Sequence, residues 1–306
     1  MNASTLLAQI EQGSQKALAR AVSFVENEAP GYDALLARLP HRQQCRVVGI
    51  TGPPGAGKST LVDGLIGQLI NKGKKVAVLC VDPSSPFNLG AVLGDRIRMS
   101  QWYTHPQVFI RSLATRGSLG GLHPKIIEIT ELMRAADFDY VLVETVGVGQ
   151  SEVEIAGLAD TTLVVLVPEA GDEVQTMKAG LMEIADLFVV NKADRPGADA
   201  FVKALRAMLA PTFGTHRQEV PIVKTVAATG AGLNELSTHL EEAVPEQLGT
   251  DRRLWLLTER AYQLVQRHRM QSLSKEVLMA RLRAASTQPD FNLYRFAQSQ
   301  FYETAL

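Results

Sequence analysis

The sequence predicts an α/β protein with a mostly parallel, doubly wound sheet, N-terminal helices and a C-terminal helical extension. Three observations carry this. Short Val/Ile/Leu-rich runs at 46–51, 75–81, 108–111, 139–144, 161–167, 187–191 and 220–226 alternate with segments of helical periodicity. Runs that are apolar throughout belong to strands buried on both faces, the condition of a parallel sheet covered by helices. A glycine-rich turn, Gly52-Pro53-Pro54-Gly55-Ala56-Gly57-Lys58-Ser59, joins the first run to a helix opening at Thr60-Leu61-Val62. On either side of this alternating region the apolar residues recur at helical spacing.

Taken in order, residues 4–39 read as small appended helices: after Gly13, Ser14 caps a helix whose Ala17, Leu18, Ala21, Val22 and Val25 form one stripe. Three parts follow, an N-terminal helical segment at 1–44, the α/β domain at 45–248 and a helical extension at 249–306. In the extension Leu254, Leu257, Ala261, Leu264 and Val265 keep helical spacing, as do Val277, Leu278 and Leu282. That stripe either packs on the α/β domain or meets a second copy of the chain.

Composition sets the outer bounds. The 306 residues carry a formal charge of −1, with 46% hydrophobic and 21% charged residues. A near-neutral chain exerts no general pull on nucleic acid or anionic lipid, and this apolar content supports a packed core. The longest apolar runs fall short of the roughly 18 residues a membrane span needs. The N-terminus lacks the basic start and apolar stretch of an export signal, so the expected location is the cytoplasm, with neither nucleic acid nor membrane as partner. Cys45 and Cys80 stand alone and read as inert packed thiols, and the six histidines repeat no zinc spacing.

The turn at 52–59 matches G-x-x-x-x-G-K-[ST] and places the fold among the P-loop NTPases. Gly52, Gly55, Ala56 and Gly57 present successive backbone N–H groups to one point, and the helix starting beyond them adds partial positive charge. Lys58 is expected to reach the β and γ phosphates, with Ser59 and Thr60 completing the cradle and the Ser59 hydroxyl offered to Mg²⁺. Position 53 is proline, where a subclass of dimeric ATPases carries a second lysine.

Asn191-Lys192-Ala193-Asp194 closes the run 187–190, at the strand end where a nucleotide base should lie. An Asp194 carboxylate accepts hydrogen bonds from guanine N1–H and the exocyclic amine, a pair of donors adenine lacks. Buried beneath the base, such an acceptor would discriminate against adenine by about 10⁴ to 10⁵. GTP and GDP are therefore the predicted nucleotides. Lys192 would lay its stem along the base, and Asn191 would tie the loop together. Ala227-Ala228 stands where guanine-binding proteins often have Ser-Ala, leaving a backbone N–H for the guanine oxygen.

Three carboxylates suit Mg²⁺, which prefers hard oxygen ligands. They are Asp82 after run 75–81, Asp95 in Leu93-Gly94-Asp95-Arg96, and Glu144 in Glu144-Thr145-Val146-Gly147, a D-x-x-G signature with Glu for Asp. Gly147 is expected to donate its N–H to the γ-phosphate. Position 148 is valine, where small signalling GTPases position water with glutamine. Slow intrinsic hydrolysis follows, with Asp82 the candidate for orienting the attacking water.

These stretches resemble the MeaB-type GTPases associated with methylmalonyl-CoA mutase. Those that carry it are 51–60, Val81-Asp82-Pro83-Ser84-Ser85-Pro86, 93–99, Glu144-Thr145-Val146-Gly147-Val148-Gly149-Gln150-Ser151, and Gly171-Asp172-Glu173-Val174-Gln175 through Asn191-Lys192-Ala193-Asp194. The resemblance implies a homodimeric chaperone, dimerised through its C-terminal extension, that uses GTP to protect an adenosylcobalamin-dependent acyl-CoA mutase and gate its cofactor loading. Methylmalonyl-, isobutyryl-, ethylmalonyl- and hydroxyisobutyryl-CoA mutases all remain open as clients. Lys178-Ala179 stands where such proteins often carry paired basic residues. Two other readings of the same nucleotide fold are a small-molecule kinase, such as an amino-acid kinase, and a nickel-insertion GTPase.

Overall fold

The computed structural model describes residues 3–40, 44–82, 99–115, 122–145, 151–170, 182, 184–213, 220–242, 250–270, 273–288 and 290–302. The chain divides into two compact units, Met1–Leu248 and Gly249–Leu306. The first begins with α1 (Ala3–Glu11), α2 (Gln15–Glu26) and α3 (Tyr32–Leu36). Ser14 caps α2, its Oγ accepting from the Ala17 N–H at 3.3 Å, which satisfies one of the donors a helix start leaves open.

Strands and helices then alternate: β1 (Arg46–Thr51), α4 (Lys58–Asn71), β2 (Val76–Asp82), β3 (Val108–Ala114), α5 (Ile126–Ala135) and β4 (Tyr140–Glu144). They continue through α6 (Ser151–Leu158), β5 (Thr161–Leu166), β6 (Leu187–Val190), α7 (Ala198–Phe213), β7 (Ile222–Lys224) and α8 (Leu233–Glu242). The strands form one sheet in the order β3-β2-β4-β1-β5-β6-β7. Every pairing is parallel, so all seven strands end on the same edge.

Successive strand residues point to opposite faces, and each face is buried, which is why the runs read as continuously apolar. Val47, Leu79, Val141 and Val143 face one side, with Leu18, Val22, Ile129, Leu132 and Ile155 from the helices. On the same side, Val164, Phe188 and Val190 pack on Phe201 and Leu205 of α7. Val48, Ile50, Val78, Leu142 and Val165 face the other way, against Leu61, Leu65 and Leu69 of α4 and Leu236 of α8. Each such fully buried side chain contributes about 1.5–3 kcal/mol. The N-terminal helices thus share one core with the sheet, where the sequence suggested an appendage.

The second unit holds α9 (Thr250–Met270), α10 (Lys275–Ala285) and α11 (Leu293–Tyr302). Ser274 caps α10 by accepting from the Val277 N–H, and Arg281 donates to Gln300 Oε1 at 2.6 Å, joining α10 to α11. On α9 the apolar stripe is exposed, Leu254 at 62%, Trp255 at 56% and Tyr262 at 64%. Among the described residues, no helix is long and apolar enough to cross a membrane.

Candidate nucleotide site

The site grows from the strand order. β1 lies in the middle of the sheet, between β4 and β5, and the loop leaving it runs into α4. Chemistry placed at the ends of β2 and β4 therefore lies on one side of this loop, and chemistry at the ends of β6 and β7 on the other. With parallel strands about 4.8 Å apart, the end of β6 is about 10 Å from that of β1.

Two glycines in the loop are required by geometry. Gly57 has φ +88°, and a Cβ there would lie 2.4 Å from Asn191 Nδ2. Gly52 has φ +137°, and a Cβ there would lie 2.1 Å from the Val165 carbonyl oxygen. Left-handed φ is strained for residues with side chains, and neither approach leaves room for one. Gly57 forms the N-cap of α4, so the first-turn N–H groups of Lys58, Ser59 and Thr60 open toward the loop. Lys58 is buried, and its Nζ donates to the Gly52 carbonyl at 2.8 Å and the Pro53 carbonyl at 3.1 Å. The ammonium is held over its own loop.

On one side stand the carboxylates. Ser59 Oγ donates to Glu144 Oε1 at 2.7 Å. Cys80 pairs with Glu144 in the β2–β4 ladder, so Asp82 lies two residues further along the adjacent strand and on the same sheet face, the one α4 covers. Asp82 and Glu144 are 2% and 3% exposed. Two carboxylates buried on adjacent strand ends need compensating positive charge. A serine hydroxyl with two carboxylates is a hard-oxygen set that fits Mg²⁺ completed by phosphate and water. Among the described residues, no group of three or more His, Cys, Asp or Glu could hold a metal on its own.

On the other side Asn191 is the hub. Its Nδ2 donates to the Ala56 carbonyl at 2.8 Å, and its Oδ1 accepts from Thr225 Oγ1 at 3.1 Å and the Ala227 N–H at 3.0 Å. Lys192 has φ +56°, uncommon for a residue with a side chain, and its Nζ donates to the Gly55 carbonyl at 2.7 Å. The strain is held by the strand ends around it, where Asn191 N–H donates to Leu166 O and Ala193 N–H to Thr225 O. Two hydrogen bonds therefore stitch the 191–194 loop to the phosphate loop.

Several expectations change here. Asp194 is exposed, two residues beyond the left-handed Lys192. The Lys192 ammonium is anchored on Gly55, which fixes its stem as well. The Ala227 N–H is taken by Asn191, whereas no acceptor for the Ala228 N–H is seen among the described residues. Thr225 joins the site without a sequence motif of its own; its place directly after the last strand, two residues before Ala227, is the signal that locates it. Asp95, Gly147 and Lys178 lie outside the described residues.

The family model described as methylmalonyl-CoA mutase-associated GTPase MeaB matches residues 18–287. The chain belongs to the MeaB family. A Pyrococcus horikoshii protein named as a GTPase is 47% identical over 243 residues, covering 78% of this chain and 76% of its own. The Escherichia coli GTPase ArgK is 42% identical over 202 residues, covering 63% of this chain and 61% of its own. A solved structure titled LAO/AO transport system kinase superposes with a TM-score of 0.66 at 27% identity, covering 97% of this chain and 98% of that one. This chain is accordingly a MeaB-family GTPase with a P-loop fold, and the family binds guanine nucleotides.

Proposed function

We propose that this MeaB-family GTPase binds GTP with Mg²⁺ along the strand-end edge, hydrolyses it slowly, and uses the cycle to protect an adenosylcobalamin-dependent acyl-CoA mutase and gate its cofactor loading. The loop 52–57 and the start of α4 would grip the phosphates through backbone N–H groups and Lys58. Asp194 would accept from the guanine N1–H and amine, while the Ala228 N–H would donate to the guanine oxygen. Ser59, Glu144 and Asp82, with Asp95, would hold Mg²⁺, which when bound neutralises charge on the β and γ phosphates. Asp82 would orient the attacking water and Gly147 would donate to the γ-phosphate. Valine at 148 offers no side chain to hold that water, which supports a slow intrinsic rate.

The observation that carries this reading is the family match across residues 18–287, whose description names a mutase-associated GTPase. The exposed apolar row Leu254, Trp255, Leu257 and Tyr262 on α9 supports a homodimer joined through the second unit. The test is capture from native cytoplasmic extract on the full chain loaded with GTP, GDP or a non-hydrolysable analogue. Nucleotide-dependent retention of a cobalamin-dependent mutase, with inorganic phosphate as the product of γ-labelled GTP, is the expected result. Phosphate appearing instead on an amino acid, or retention of a hydrogenase precursor in place of a mutase, would refute it.

A further inference from the structure

Beyond the groups that meet nucleotide or metal, one buried pair of hydroxyls sits between the phosphate loop and the carboxylate strand. Thr145 Oγ1 donates to Thr51 Oγ1 at 3.1 Å, and the Thr145 N–H donates to the Ile50 carbonyl at 3.0 Å. The β1–β4 ladder pairs Ile50 with Glu144, so these bonds carry it one residue further, setting Thr51 opposite Thr145. Both side chains are enclosed, Thr51 at 0% and Thr145 at 2% exposure. Alternation puts them on the sheet face opposite Glu144, whose carboxylate reaches Ser59 on the α4 side. Thr51 directly precedes Gly52, and Thr145 directly follows Glu144.

We infer that Thr51 and Thr145 are positioning residues for the proposed magnesium site, their hydroxyl bond fixing the end of β4 so that Glu144 is held over Ser59. Glutamate makes such a clamp necessary. It has one more rotatable bond than the aspartate of the usual signature, so its carboxylate is well placed only if its own backbone does not twist. The backbone bond to Ile50 sets the distance between the strands, and the hydroxyl pair on the reverse face resists rotation of residue 144 about the strand axis. Hydroxyl bonds between facing threonines stabilise antiparallel pairs, and here such a bond closes the end of a parallel one. The inference rests on the reading of Ser59 and Glu144 as metal-binding groups.

The test compares the T51V/T145V and T51S/T145S double variants of the full chain with the parent, reading the Mg²⁺ concentration for half-maximal GTP hydrolysis, GDP affinity in EDTA, and Tm. Replacing both hydroxyls by methyls of the same shape leaves no buried donor unpaired, so Tm should hold, while the half-saturating Mg²⁺ concentration rises about fivefold to tenfold through loss of the orienting bond. GDP affinity without metal should stay at the parent value, and the Ser/Ser variant should keep the parent Mg²⁺ requirement. A Val/Val variant with the parent's Mg²⁺ dependence would overturn the positioning role. A Glu144→Ala control separates the two levels: if that variant also keeps the parent's Mg²⁺ dependence, the metal-site reading itself fails, and the inference with it.

Discussion

Asp194→Asn tests base selection at the carboxylate proposed to perform it. The Asp194 carboxylate is exposed at the turn after Lys192, and no described side chain occupies it. Guanine would supply two hydrogen bonds to it, each worth about 1.5–3 kcal/mol when one partner is charged. Because water competes for an exposed acceptor, the low end applies, giving about 3 kcal/mol for the pair, or roughly a hundredfold in affinity. The asparagine variant keeps one oxygen but points an N–H group at a guanine donor, so GDP affinity should fall by about that hundredfold. Xanthosine diphosphate, with a carbonyl at the position of the guanine amine, should gain affinity, and ADP should be unaffected. Displacement of a fluorescent GDP analogue at fixed Mg²⁺, with each diphosphate as competitor, reads all three. If the variant holds GDP within about threefold of the parent, or if ADP and GDP weaken together, Asp194 does not choose the base.

Other residues yield sharper separations of role. Lys58→Ala should weaken GTP by about two orders of magnitude through lost charge-assisted bonds to phosphate, with guanosine and inosine triphosphates affected equally in titration calorimetry. Asn191→Ala leaves the Thr225 hydroxyl and the Ala227 N–H without their acceptor, at about 2–4 kcal/mol; calorimetric melting should show Tm about 5–10 °C lower, alongside weaker binding of both nucleotide ends. Burial pushes the Cys45 thiol from 9.0 up to about 12, with Asp160 and Asp139 adding to the rise and Arg134 opposing it. The neutral thiol is thus favoured in the fold. Unfolded chains lose that proton from about pH 9, so this contribution is intact below pH 9 and declines by about 1.4 kcal/mol per unit up to about 12. Urea unfolding at pH 8 and pH 10 should show a steeper loss for the parent than for Cys45→Ala, and parallel losses would contradict the buried assignment.

Much of the sheet was legible because strands covered on both faces are apolar along most of their length, as Val76–Val81 and Leu163–Leu166 are. The departures have identifiable causes. β3 continues to Ala114, past the end suggested at 111, because Arg111 is tolerated mid-strand: its guanidinium donates to Glu26 at 2.6 Å and Ser23 at 3.2 Å on α2. β7 is confined to Ile222–Lys224, since Pro221 has no N–H and Val226 leaves the ladder to bridge Ala231. The stripe on α2 announced that Leu18 and Val22 are covered but not by what, so the shared core was invisible until the helix was placed. At the site, residue identity was readable while exposure was not. Nothing local in Asn-Lys-Ala-Asp reveals that Lys192 turns left-handed or that Asp194 stands exposed after it.

The stitching of the base loop to the phosphate loop bears on how the two ends of a nucleotide can be sensed together. Asn191 and Lys192 donate to the carbonyls of Ala56 and Gly55, consecutive residues of the phosphate loop. A peptide plane moves as a unit, so a carbonyl held from one side fixes the direction of the N–H on the other. The Ala56 N–H donates within the turn to the Pro53 carbonyl at 3.3 Å, so it is the Ala56–Gly57 peptide, its carbonyl held by Asn191, through which base recognition and phosphate grip would be coupled. Gly57 has the complementary role: its missing side chain admits Asn191 to 2.4 Å of where a Cβ would stand, so the hub depends on the glycine as much as the glycine's turn depends on the hub. Because these contacts join loop carbonyls to the side chains of the two residues that follow β6, they do not depend on the side chains of residues 53–56. A substitution at residue 191, 192 or 57 should therefore alter both ends of the site together.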